Sequence, residues 1–264
     1  MNIKHKVFVI NLEDYKERFD FVNGQLANYG IVSERVDGVY VDSLPKECIR
    51  SVYSPSINRK SYVRKLHKGQ IGCYLAHMNA WRRIVEEDLD YAVVLEDDVK
   101  ILEDFPAALK FLDENFGSWD FVRIAENSKM KKIFAEKKYE YFSFVQYINL
   151  PGGATGYAIS KASAKKLLDN LIPFGMPVDV NIQYYYKYGV RVDSLRPPII
   201  SNCEFGENSV LRLFDSGEKE NAPFIRQRLS IKFYFGRMKR LIKEYGFFYC
   251  LLRLLKMPFQ KKII

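Results

Sequence analysis

From Val7 to Leu12 the chain is apolar apart from Asn11 near its close, the pattern of a strand buried on both faces. Between Asp14 and Tyr29 the apolar positions Tyr15, Phe19, Val22, Leu26 and Tyr29 recur at three and four residues, which predicts an amphipathic helix. Strand followed by helix opens a βα unit. Gly30-Ile31 turns the chain, and Ser33 to Val36 leads to Asp37-Gly38. From Ser43 to Lys68 there is mixed charge with Pro45 and Pro55 and no sustained period, so this stretch reads as irregular or as short helices. A second helix starts at Gly69, with Ile71, Leu75, Met78 and Ile84-Val85 on one side. Tyr91 to Leu95 is again a buried strand, a helix covers Phe105 to Phe116, and Asp120 to Ile124 makes a further strand. This alternation predicts a largely parallel sheet with helices on both faces.

The second half is less regular. Lys129 to Tyr141 reads as a hairpin or loop before the apolar run Phe144 to Ile148. Gly152, Gly153 and Gly156 precede the strand Tyr157 to Ile159, and Ser160 caps a helix running through Leu171. Pro177-Val178-Asp179 opens a helix ending near Gly189, Arg191 to Leu195 is a late strand, and Pro197-Pro198 breaks it.

The 264 residues carry a formal charge of +9, which raises the question of nucleic acid. The excess sits at the end: from Phe224 to Ile264 there are eleven Lys and Arg against the single acid Glu244. The remaining 223 residues hold 30 basic and 31 acidic groups and are nearly neutral. A neutral body with a cationic, apolar tail excludes a basic nucleic-acid groove and points to an anionic membrane surface. Within the tail, Met238, Leu241, Ile242, Tyr245, Tyr249, Leu252 and Leu255 recur at three and four, flanked by Arg237, Arg240, Lys243, Arg253 and Lys256. Charges interrupt it too often for a membrane span, and the competing reading is a helix pair packed on the body or an oligomer contact. The expected division is therefore a catalytic domain over residues 1–223 and a basic amphipathic helical segment over 224–264. Cys48, Cys73, Cys203 and Cys250 show neither metal-ligand nor redox spacing and read as reduced thiols. The first apolar run is too short for a signal peptide, which makes a cytosolic protein the expectation.

The strongest chemical signal is Glu96-Asp97-Asp98, three acids where a buried strand ends. Ligands of open α/β sheets bind at that edge, and adjacent carboxylates in a crevice repel one another unless a cation joins them. An all-oxygen set suits Mg²⁺ or Mn²⁺ with a diphosphate ligand; a solvated acidic turn is the plainer alternative. His77 and Trp81 follow Cys73 at four-residue intervals on one helix face, a spacing that favours packing, with His77 buttressing the acidic loop.

Val9-Ile10-Asn11-Leu12 with Arg18, Val36-Asp37-Gly38, Gly69 to His77 with Trp81, and Leu95 to Asp98 together resemble glycosyltransferase family 25. This is the lipooligosaccharide galactosyltransferase family, to which collagen galactosyltransferases are related. The resemblance continues through Gly156 to Ser160, Pro177 to Asp179 and Asn208-Ser209, so it covers roughly residues 5–210. The family usually has Glu where Gln70 stands and Ser where Ala76 stands, so neither carries catalytic weight here.

The resemblance implies a GT-A type nucleotide-diphospho-sugar transferase fold and a UDP-hexose donor, galactose ahead of glucose. Asn11 and Asp37 would meet the uracil and ribose, Arg18 the diphosphate, and Ser209 would join them. Asp98 is the first expected metal ligand, Glu96 helps it, and Glu96 and Asp97 share the ribose and donor sugar. Gly153 and Thr155 belong to the loop expected beside donor and acceptor. In an inverting transfer the metal-bound acids lie on the leaving-group side, so the general base should be another carboxylate. Asp179 is the first candidate, with a helix-terminal acid as its plainer role. Glu126 is the reserve. The acceptor would be a growing bacterial lipooligosaccharide at the inner face of the inner membrane. A catalytically inactive, membrane-surface binding module of the same fold is the alternative.

Overall fold

A computed structural model of the chain describes residues 3–62, 64–125, 132–203 and 222–256. Strands β1 (His5–Asn11), β2 (Ser33–Asp37) and β3 (Tyr91–Glu96) are mutually parallel, with β1 in the middle. Their register sets Asn11 opposite Asp37 and Ile10 opposite Glu96, so three of the expected donor-site positions share one sheet edge.

The apolar runs are continuous because each strand faces a core on both sides. Val7 and Val9 point to helix α1 (Lys16–Ala27), where Val22 and Leu26 are fully buried. Phe8 points the other way. There it joins Trp81, Tyr74 and Met78 of the long helix α4 (Lys68–Glu86). Burying a side chain of this size contributes roughly 1.5–3 kcal/mol, so a one-residue slip of β1 would forfeit both cores. The stretch without period holds two short helices, α2 (Lys46–Val52) and α3 (Pro55–Ser61), the second capped by the Ser54 hydroxyl with Pro55 at its start. Helix α4 begins with a capping box. The Gln70 amide N–H donates to His67 Nδ1, and the His67 amide N–H to Gln70 Oε1, both at 3.2 Å. That is the physical role of Gln70, and a Glu would fill it equally well.

Small strand β4 (Val99–Ile101) and helix α5 (Phe105–Glu114) precede β5 (Phe121–Arg123). A hairpin of β6 (Ile133–Lys138) and β7 (Ser143–Tyr147) follows, then β8 (Gly156–Ser160) and helix α6 (Lys161–Asn170), which Ser160 caps as expected. Two short helices, α7 (Val178–Ile182) and α8 (Tyr185–Tyr188), stand where one was predicted, and Gly189 ends the second in the left-handed conformation. Strands β9 (Val192–Arg196) and β10 (Ile200–Asn202) complete the body, β10 pairing with β4 in a small separate sheet.

The main sheet runs in the order β2-β1-β3-β8-β5-β9-β7-β6. It is the α/β architecture expected, with most strands in one sense and two exceptions. β8 lies antiparallel between β3 and β5, and β7 antiparallel between β9 and β6. Periodicity could not reveal this, since an apolar run looks the same in either direction. The reversal brings the turn before β8 to the edge where β3 and β5 end.

The chain closes with helices α9 (Ala222–Tyr245) and α10 (Phe247–Lys256), bent at Gly246, whose φ of +85° suits glycine. Leu241 and Cys250 are buried with Phe134, Ala135 and Ile148, and Met238, Ile242 and Tyr245 pack beside them. The apolar stripe predicted as one face is thus divided: its first half is on the body, whereas Leu252 and Leu255 are exposed. Arg237, read as a flanking surface charge, is buried at 2 % exposure because four acceptor oxygens of the body receive it. Among the described residues, no helix is long and apolar enough to cross a membrane.

Candidate active site

The carboxyl end of β3 delivers the three acids to different surroundings. Asp97 turns toward β1, where Asn11 Nδ2 donates to its Oδ2 at 2.7 Å and Arg18 lies 3.8 Å from its Oδ1. Asn11 also donates to the Tyr15 carbonyl at 2.8 Å, and the Arg18 guanidinium stands over the Tyr15 ring. Two of the residues expected to meet the donor are therefore tied to Asp97, and Asn11 is buried, its Oδ1 without a partner among the described residues. Burial pushes the Asp97 carboxyl up, opposed by Asn11 and Arg18.

Glu96 turns to α4. Its Oε1 lies 3.4 Å from His77 Nε2 and 4.0 Å from Cys73 Sγ. Behind His77, Nδ1 is 2.9 Å from the Tyr157 hydroxyl, which accepts from Trp81 Nε1 at 2.9 Å. The chain has one direction. An indole N–H can only donate, so the phenol accepts it and gives its own proton to Nδ1, leaving the imidazole proton on Nε2 to face the carboxylate. Burial holds the Tyr157 phenol well above its ordinary range, so it remains protonated. His77, Cys73 and Glu96 present ligand atoms within 4.8 Å of one another. With both imidazole nitrogens engaged and the Cys73 thiol pushed well up by burial, this group supports Glu96 rather than forming a separate metal cage.

Asp98 carries the cost of the crowding. Burial and then Glu96 and Asp97 push its carboxyl up to about 7. No side chain among the described residues is seen donating to it, while its carbonyl accepts from the Cys203 amide at 2.9 Å. Asp98 and Glu96 together offer the carboxylate oxygens that Mn²⁺ or Mg²⁺ would take.

The opposite lip comes from the turn before β8. The Thr155 carbonyl accepts from the Glu96 amide at 2.9 Å, joining the turn to the acidic strand end. Gly156 packs so closely that a Cβ there would lie 2.2 Å from Ile200 Cδ1. Gly153 has φ +81°, and its N–H donates to Asp179 Oδ2 at 2.9 Å. Asp179 stands in the first turn of α7, yet makes no cap there: Pro177 occupies that position, and the carboxylate reaches across to Gly153. Asp37 lies at the same sheet edge but is 78 % exposed and paired with Arg35 at 2.8 Å. Glu126 and Ser209 lie outside the described residues.

Sequence reasoning missed Arg123. It closes β5, buried at 4 % exposure between Tyr157 and Ser194 of the neighbouring strands, and donates to the Gly152 carbonyl at 2.8 Å. The signal was present as a charge inside the apolar run Phe121-Val122-Arg123-Ile124.

Residues 4–182 match the model of glycosyltransferase family 25 (LPS biosynthesis protein). The chain belongs to glycosyltransferase family 25. Among curated relatives in this family, human procollagen galactosyltransferase 2 is 26% identical over 220 residues, covering 80% of this chain and 34% of its own length. The human inactive glycosyltransferase 25 family member 3 is 29% identical over 178 residues, covering 62% and 28%. The chain thus spans about a third of the length of the curated relatives it matches. Among solved structures, mannose-1-phosphate geranyltransferase from Thermus thermophilus aligns with a TM-score of 0.41 and 12% identity, over 76% of this chain and 75% of that one. A glycosyltransferase involved in the glycosylation of the major capsid of PBCV-1 aligns with a TM-score of 0.40 and 8% identity, over 75% and 94%.

Proposed function

We propose that this family 25 glycosyltransferase moves a hexose, galactose ahead of glucose, from UDP to a growing bacterial lipooligosaccharide, with inversion and with the help of a divalent cation. The observation that carries the reading is the convergence of carboxylates from two elements: Glu96 and Asp98 at the end of β3, and Asp179 of α7, held by the turn before β8. Asp98, with Glu96, would hold Mn²⁺ or Mg²⁺, and the ion would neutralise charge on the departing UDP. Asn11 and Arg18 hold Asp97 beside them for the ribose and donor sugar. Asp179 keeps one oxygen on Gly153 and offers the other as general base. The acceptor hydroxyl gives its proton to that oxygen and bonds to the anomeric carbon, while the bond from carbon to UDP breaks and its electron pair leaves with the phosphate oxygen.

The tail favours an acceptor held at a membrane. Phe247, Phe248, Leu251, Leu252 and Leu255 line the outer side of α10, and Phe248 is 79 % exposed. They lie in the segment that carries eleven basic residues and one acid, a composition suited to an anionic lipid surface. The part of the tail that would lie on lipid is this outer side, not the buried face of α9.

Asp98→Asn is expected to abolish sugar transfer with the melting temperature retained, and Asp179→Asn to lower turnover by roughly 10²–10⁴ with donor affinity kept. Full turnover of Asp98→Asn in EDTA would sink the metal-dependent reading. Absence of UDP-hexose turnover by the unaltered chain, with Mn²⁺ and with galactose or glucose donors, would favour the inactive binding module, the condition named for the human family member 3.

A further inference from the structure

A guanidinium buried at 4 % exposure needs acceptors, yet among the described residues Arg123 has a single one, the Gly152 carbonyl, and its Nε has none. Burial pulls its pKa down to about 10, and the largest opposing influence is the charge of Asp179. Arg123 is therefore a cation at neutral pH, placed where Asp179 feels it without direct contact.

The link between them is one peptide group. The carbonyl of Gly152 and the N–H of Gly153 belong to the same planar unit, with the Arg123 guanidinium on its oxygen at 2.8 Å and Asp179 Oδ2 on its hydrogen at 2.9 Å. Cation and anion polarise the peptide in the same sense, so each charge-assisted bond strengthens the other. The unit can lie this way because Gly153 adopts φ +81°, a conformation that L side chains rarely take. Asp179 needs this support. Its carboxylate makes no helix cap and is partly exposed, and among the described residues only its Oδ2 is seen held. With Oδ2 fixed, Oδ1 is the oxygen left to take a proton.

We propose that Arg123 is a positioning residue for Asp179, acting through the Gly152–Gly153 peptide. It rests on Asp179 being the general base, and the test separates the two statements. Turnover of UDP-galactose and of UDP-glucose with water as acceptor, together with UDP-hexose affinity by calorimetry, would be measured for Arg123→Gln, Arg123→Lys, Asp179→Asn and the double variants. Arg123→Gln should lower kcat by roughly 10²-fold, within the range for a mispositioned base, while donor affinity changes less than about threefold. Arg123→Lys, which keeps a charged donor for the Gly152 carbonyl, should recover to within about tenfold of the unaltered enzyme. In the Asp179→Asn background neither substitution should lower kcat further, because positioning has lost its object. A purely structural role would depress both backgrounds alike, and that result overturns the proposal. Near-normal turnover of Arg123→Gln beside a collapsed Asp179→Asn overturns the positioning role alone. Full turnover of Asp179→Asn removes the base and the positioning role together. If Arg123→Gln does not fold, the same comparison is read from Arg123→Met in both backgrounds.

Discussion

Two buried arginines, Arg123 in the cleft and Arg237 in the tail, meet the same problem with opposite solutions. Burial lowers the pKa of each. Arg237 is saturated: its nitrogens donate to Ile148 O, Asn149 Oδ1, Gln183 O and Gln183 Oε1, and its plane lies over Phe233. Every acceptor is neutral, so the charge is spread over fixed dipoles and the helix is latched to the body. Glu244 extends the latch, lying 3.5 Å from Arg191 and accepting from Gln146 at 3.2 Å. Among the described residues Arg123 has one carbonyl and an idle Nε, and the carboxylates of Asp179 and Glu96 act on its charge. A saturated buried charge holds structure together. An undersupplied one beside acids holds chemistry in place.

The two residues should fail in different ways. Arg237→Met should lower stability by about 3 kcal/mol, since it strands buried acceptors, and should change kcat less than tenfold. Thermal melting and donor turnover measured side by side check this, against the 10²-fold kinetic loss expected at Arg123. If Arg237→Met cost as much turnover as Arg123→Gln, the tail would belong to the catalytic unit and the distinction would fall.

A smaller effect is expected at the acidic end of β3. Tyr157→Phe strands Trp81 Nε1 and removes the proton given to His77 Nδ1, so the imidazole is free to flip its tautomer away from Glu96. Loss of such outer support typically weakens metal affinity by 10–100-fold, and the expected reading is a rise of that size in the Mn²⁺ concentration for half-maximal turnover. An unchanged Mn²⁺ requirement would show that the Trp81–Tyr157–His77 chain serves packing alone.

The smallest effect concerns the outer side of the tail. Phe248→Ser with Leu252→Ser should weaken sedimentation with anionic vesicles by about tenfold and leave melting unchanged, because these side chains touch solvent. Equal binding to vesicles of neutral lipid, or binding unaffected by the substitutions, would remove the membrane assignment. Sedimentation velocity without lipid checks for a second copy of the chain on the same face.

Much was legible before folding was considered. The runs at Val7, Tyr91 and Phe121, the helical spacing after Asp14 and Gly69, and the acids at 96–98 are local patterns, and local patterns decide which elements form and what chemistry a strand end carries. Ser160 as a cap was legible for the same reason. Strand direction was not, because β8 and β7 read alike either way and only pairing with β3 and β9 fixes their sense. Nor were the partners of the charges. Arg237 stands in a basic stripe and Arg123 in an apolar strand, and nothing near either in sequence says that one meets carbonyls of residues 148 and 183 and the other a glycine peptide 29 positions away. Asp179 was legible as a candidate base, but its partner was not, since only the reversed β8 brings Gly153 beside it. Most elements and the acidic strand end follow from neighbours in the chain. Which buried charge is satisfied and which is left short of acceptors follows only from folding, because desolvation and pairing depend on what the fold brings within about 3 Å.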